Sequence, residues 1–101
     1  MRLTELLARA GLDAAGAGDQ AVTGFAIDHR KVAPGTIFGA FQGATVNGED
    51  FIRPAIAAGA VAVVARPEAR VEGVLHIADV APRRAFARLA AGFFSPYPAT
   101  I

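Results

Sequence analysis

Three consecutive side chains, Asp28, His29 and Arg30, set a carboxylate, an imidazole and a guanidinium side by side. A neutral imidazole carries one donor and one acceptor on a flat ring, and a guanidinium carries five donors. These groups fall at the end of a stretch that alternates like a strand. The chain then turns at Pro34-Gly35, and a second strand-like stretch runs into the polar, glycine-bearing segment Gly43 to Asp50, GATVNGED. Two loops at neighbouring strand ends can form a crevice, and in open α/β sheets such crevices hold ligands. The residues alone leave two readings open. In one, the two loops bind a small molecule; in the other, Asp28 pairs with Arg30 to fix the turn and His29 is merely exposed. The pairing is the simpler of the two.

Other chemistries find little support. Gly16-Ala17-Gly18-Asp19-Gln20-Ala21 fits the G-x-G-x-x-A form of the dinucleotide fingerprint, but that motif needs a strand before it and a helix after it. Here a helix precedes and a strand follows, so the segment reads as a flexible linker. No G-x-x-x-x-G-K-[ST] loop and no serine elbow occurs. Asp28, Glu49, Asp50 and Asp79 lie near element edges without forming an acid–base pair. With no cysteine, disulfides, thiolate metal sites and cysteine nucleophiles are excluded. His29 and His76 lack ligand spacing, so no metal site is expected. His76 reads as a half-buried strand residue bonded to backbone.

The 101 residues make one domain, and 53% hydrophobic against 19% charged residues is ample for a core. A net charge of +1, with nine Arg and one Lys scattered along the chain, argues against nucleic acid. Glu5 and Arg9 interrupt the amino-terminal apolar stretch, so it is not a signal peptide. The longest apolar run, Ala55 to Ala65, is shorter than the roughly 20 residues a membrane span needs. A soluble cytoplasmic domain with neither membrane nor nucleic-acid partners is expected.

The positioning elements follow from periodicity. Leu3, Leu6, Leu7 and Ala10 share a helix face that ends at Gly11. Val22–Asp28 and Thr36–Phe41 read as strands. Asp50 stands where a cap should, before a helix with Phe51, Ile52, Ala55 and Ile56 on its apolar face, Pro54 early and Gly59 just past its end. Val61–Ala65 is a continuous apolar run, as in a strand buried on both faces. Val74–Ile77 is a further short strand. Asp79 is the expected cap of a last helix whose stripe is Phe86, Leu89, Ala90 and Phe93, followed by the helix-breaking SPYPATI. Phe38 and Phe41 are expected in the core, with Phe41 near enough to a strand end to line a pocket. The order is α-β-β-α-β-β-α, in the α/β class, with a small mixed sheet of four to five strands flanked by helices.

The stretch DHRKVAPGTIFGAFQG, then NGEDFI, then AIAAGAVAVV, resembles the amino-terminal signature of the MurE and MurF types of Mur ligase. The family pattern is D-[ST]-R-x-[VL]-x-P-G-x-[IL]-F-x-A-x-x-G, a D/N-G-x-x-[FY]-[IV] step, and a helix-to-strand AI-x-x-GA-x-A-[VI]-[VI]. The opening MRLTELL and the closing RLAAGFFSPYP are more similar to MurE. The resemblance covers nearly the whole chain. It departs from the pattern at His29, where the family has Ser or Thr.

That resemblance implies a domain, residues 1–101, that holds the uridine diphosphate end of UDP-N-acetylmuramoyl-L-alanyl-D-glutamate. The enzyme it implies adds a third amino acid in peptidoglycan synthesis, with roles in cell wall biogenesis, cell shape and cell division. The rival is a MurF-type ligase adding D-alanyl-D-alanine; from another class, a non-catalytic α/β interaction module. Carried over by motif, the uridine contacts are Ile27 and His29 in the first loop and Ala44, Thr45 and Val46 in the second. Asp28, Arg30, Asn47 and Gly48 stand in support. Backbone amides of a glycine-flanked loop can meet a diphosphate without Lys or Arg. No catalytic residue and no cofactor is expected in this domain. ATP and magnesium belong to a central domain of the same chain, expected to begin with T-G-T-N-G-K-T soon after Ile101. The arginines of the last helix are expected to be a solvated face or to meet that domain.

Overall fold

The computed structural model describes residues 1–13, 16–43 and 45–94. The expected ligand contact at Ala44 and the helix-breaking segment 95–101 lie outside them. Helix α1 spans Leu3–Arg9, strands β1 Gly24–Ala26, β2 Thr36–Gly39, β3 Ala62–Ala65 and β4 Leu75–Ala78, and helices α2 Ile52–Ala57 and α3 Pro82–Phe94. Short 3-10 turns occupy His29–Lys31 and Gly48–Phe51. The expected order of helices and strands is thus present, with strands shorter than their apolar runs.

The four strands form one sheet in the order β1-β2-β3-β4, and every pair is parallel. The α/β class and strand number agree with the sequence, but the sheet is parallel rather than mixed. Antiparallel pairing is confined, among the described residues, to the isolated bridges Arg2↔Ala21 and Gln42↔Asn47. The reason lies in the β1–β2 connection. Pro34-Gly35 looks like the tip of a reversal, yet residues 27–35 can reach roughly 30 Å at about 3.3 Å per residue. That is enough to arch back along a three-residue strand and start the next one in the same direction.

Parallel crossovers share one hand, so strands laid down in sequential order place their connections on one face of the sheet. Here Val32, Phe51, Ile56, Ala69, Val71 and Val74 come from all three connections. They pack on the core of Phe38, Ala40, Ile52, Ala55, Ala60, Val63 and Ala65. The other face is left for α1 and α3, whose Leu3, Leu6, Leu7, Ala85 and Leu89 close over Ile37, Ala62, Val64 and Ile77. Residues of β2 and β3 alternate between the two cores and are buried throughout, which explains the unbroken apolar sequence of β3. Each fully buried Leu contributes about 1.5–3 kcal/mol. Phe25, Phe86 and Phe93 add edge-to-face contacts at 5.4–5.5 Å between Phe25 and its two partners.

Two expected caps differ. Asp50 is exposed and does not cap α2; instead the Asn47 side chain accepts from the Glu49 amide at 3.0 Å and caps the 3-10 turn that leads into it. An Asn two residues ahead of a free amide closes a tight Asx turn, which Asp50, already inside the turn, cannot do. Asp79 accepts from the Ala81 amide at 2.8 Å, which sets the turn just before α3 rather than its first helical residue. Gly59 follows the α2 cap at φ +116°, as expected of a helix-ending glycine. His76 is half-buried and bonds through Nε2 to the Arg66 carbonyl at 3.2 Å, so that nitrogen carries the proton.

Candidate functional site

A parallel sheet sends all its carboxyl ends to one edge, and the loops leaving that edge are the first place to look for a site. Two of them converge on a cleft of about 460 Å³ lined by Ile27, Asp28, His29, Arg30, Val46, Gly48 and Phe51. The first four follow β1 and the rest follow β2. Six of the nine residues singled out from the sequence therefore meet around one cavity. Of the others, Thr45 is exposed and not among the lining residues, and Asn47 is engaged in capping. Phe51 joins the cleft although its position suggested only helix packing; the F of NGEDFI was legible as a motif residue, but not its direction.

The first loop is locked by short-range bonds. Arg30 donates from Nε to Asp28 Oδ1 at 3.1 Å and from Nη2 to Oδ2 at 2.9 Å, and its amide donates to Oδ1 at 2.9 Å. This bidentate pair holds the Asp28 carboxyl down to about 2, chiefly through the Arg30 side-chain bonds and then through the Arg30 amide. The same pairing raises Arg30. The simpler expectation, a pair that fixes the turn, is thus present, and it coexists with the cleft. His29 Nδ1 is 3.9 Å from Asp28, too long for a hydrogen bond. Its ring is held by stacking instead: it lies on Phe51 with centroids 4.4 Å apart and planes 3° from parallel.

The second loop is locked by tertiary contacts. The Gly48 amide donates to the Phe41 carbonyl at 2.7 Å, and the Gly43 amide to the Val46 carbonyl at 3.0 Å. A Cβ on Gly48 would stand 2.8 Å from the Phe41 nitrogen, so the backbones can approach this closely only because no side chain intervenes. Glu49, with its side chain 13% exposed, accepts from Arg66 Nε at 2.6 Å and from Nη2 at 3.2 Å. Arg66 is raised above its usual value, first by these bonds.

These bonds leave the cleft wall apolar and its charges paired. Ile27 and Val46 are 61% and 57% exposed, one from each loop, beside the His29–Phe51 stack. Such wetted aliphatic groups beside a ring favour a flat, weakly polar ligand over a multiply charged one. A second cleft, about 450 Å³, shares the 41–49 segment and is lined by Phe41, Gln42, Arg66, Val80, Arg83 and Arg84, among others. Phe41 therefore faces this cleft rather than the first. Arg83 lies 4.9 Å over its ring and donates to the Gln42 carbonyl at 3.4 Å. Among the described residues no group of His, Asp and Glu could hold a metal ion, and no helix is long and apolar enough to cross a membrane.

Residues 21–94 match the model of the Mur ligase family, catalytic domain. A stretch of 80 residues is 62% identical to a UDP-N-acetylmuramoyl-L-alanyl-D-glutamate--2,6-diaminopimelate ligase of Zymomonas mobilis, covering 79% of this chain and 16% of that protein. The ligase of the same name from Bradyrhizobium diazoefficiens is 49% identical over 79% of this chain and 16% of its own. That of Gloeobacter violaceus is 41% identical over 98% of this chain and 20% of its own. The chain thus spans a fifth or less of the length of these relatives.

Proposed function

The chain belongs to the Mur ligase family, and from that premise we propose that the cleft at the carboxyl ends of β1 and β2 binds the uridine diphosphate end of a UDP-N-acetylmuramoyl-dipeptide. The chain would act as the substrate-holding domain of a longer, cytoplasmic ligase that adds the third residue of the peptidoglycan stem. One observation carries this reading: the loops that follow β1 and β2 meet around one cavity that pairs its own charges and leaves aliphatic groups and a ring stack open. Uracil is flat, neutral and edged by amide-like donors and acceptors, which suits such walls. The relatives named as ligases of UDP-N-acetylmuramoyl-L-alanyl-D-glutamate support the third-residue step over the D-alanyl-D-alanine step.

The diphosphate meets the apex of the second loop in this reading. The Gly43 and Gly48 amides are engaged inside the loop, so among the described residues the amides that meet phosphate oxygens are those of Thr45 and Val46. ATP and magnesium lie outside the proposal. The sequence has no G-x-x-x-x-G-K-[ST] loop, and the described residues offer no carboxylate cluster for the ion. No step of ligation is assigned to this chain.

The test is a two-dimensional NMR titration with UDP, then with UDP-N-acetylmuramoyl-L-alanyl-D-glutamate. Amide shifts centred on residues 27–30 and 43–51 are expected. Shifts confined to the Arg83–Arg84 cleft, or none at millimolar ligand, would refute the assignment of the base to this cleft.

A further inference from the structure

His29 and Phe51 stack face to face, with centroids 4.4 Å apart and planes 3° from parallel. Phe51 packs on the core under α2 with part of its surface and on His29 with one face. The His29 side chain remains 29% exposed and lines the cleft. The pair therefore has an inner ring packed on a core and an outer, partly exposed ring that lines the cleft. Several independent contacts fix the inner ring. Asn47 caps the turn that ends in Phe51, Gly48 lets that turn sit against the Phe41 backbone, and Glu49 ties it to Arg66 across 17 positions of sequence. The outer ring takes no part in the Asp28–Arg30 pair beside it, which already has its partners.

From this geometry we infer that His29 is the stacking platform for a planar base in the cleft and that Phe51 is a positioning residue holding that platform flat. The inference rests on the uridine reading and deepens it: recognition depends on the aromaticity of the base and not only on its hydrogen-bonding edge. Ile27 and Val46 flank the base, and the second loop acts on the ligand twice, through its apex and through Phe51. It also gives the imidazole at position 29 a use that a Ser or Thr there does not have. Stacking of a base on an aromatic side chain is worth enough to change affinity by roughly tenfold.

The experiment compares UDP with 5,6-dihydrouridine diphosphate by calorimetry on the 101-residue chain. The dihydro base keeps both carbonyls and the ring N–H but is puckered and no longer aromatic. Unaltered protein should prefer UDP by roughly tenfold. His29→Ser should still bind UDP but lose the preference, and His29→Phe should keep it. Phe51→Leu should reduce the preference while Phe51→Tyr retains it. Circular dichroism identifies any variant that fails to fold, and the wild-type ratio alone already decides. Equal affinity of the unaltered protein for the two ligands overturns the stacking inference and leaves the uridine reading standing. Binding of neither overturns both.

Discussion

The two loops that form the cleft are secured in opposite ways. The first, residues 27–35, is held at its tip by Asp28 and Arg30, two residues apart and with the Arg30 side chain 78% exposed. The second, residues 40–51, is held by Gly48 against the Phe41 backbone and by Glu49 reaching Arg66 on the end of β3. Local, exposed ion pairs contribute little, whereas a close backbone approach and a half-buried bidentate pair cannot be lost without moving the loop. The loop with the more recognisable motif is thus the less firmly tied at its tip. Its rigidity comes from the far end, where the Gly35 amide donates to the Gly59 carbonyl at 3.0 Å.

That contrast can be broken first at Gly59. Its φ of +116° is costly for other residues, and a Cβ would meet Pro34 Cα at 2.6 Å, which is backbone and cannot swing aside. Gly59→Ala should lower stability by about 2–4 kcal/mol, from strain plus displaced packing. Urea denaturation would show it, and a loss below 0.5 kcal/mol would mean the first loop is not anchored there. An intermediate effect is expected at Glu49. Glu49→Gln removes the charge from the pair with Arg66 and should lower stability by less than Gly59→Ala does, because Arg66 is partly exposed. It should also weaken UDP binding by loosening Phe51. Unchanged stability and affinity in the same titration would show that the second loop does not depend on this tie.

The smallest effect is expected at Asp28. Its folded carboxyl is held at about 2, below the ordinary 3.8, so its contribution is fully present above pH 4 and is lost as pH falls through 2. Asp28→Asn lacks the contribution at every pH. The melting temperatures of the two proteins should therefore differ slightly at neutral pH and converge between pH 4 and pH 2. A gap that widens on acidification would contradict the pairing with Arg30.

Much of this molecule can be read from its residues. The helix faces of Leu3, Leu6, Leu7 and of Phe86, Leu89, Phe93 are visible as 3.6-residue periodicity, and VAVVA as a strand buried on both sides. The loops around Asp28–Arg30 and residues 43–48 are visible through their turn residues and through the resemblance to Mur ligases. What stayed hidden was direction. Nothing local in VAPGT distinguishes a hairpin from an arch, because the turn chemistry of Pro34-Gly35 is the same in both. Asp50 looked like a cap because it precedes an apolar face, but it lies inside the 3-10 turn Gly48–Phe51, whose cap is Asn47, three residues earlier.

The amino-acid sequence by itself determined which residues could form helices, strands and turns, which chemistries were excluded, and which two loops carry the family pattern. These are properties of single residues and of short periodic spacing. Only the tertiary structure decided that the strands run parallel, that Phe51 lies flat on His29 as well as on the core, and that Glu49 finds Arg66. Each of these depends on where the chain returns after a crossover, and that is set by packing two cores against one sheet, not by the preference of any short segment.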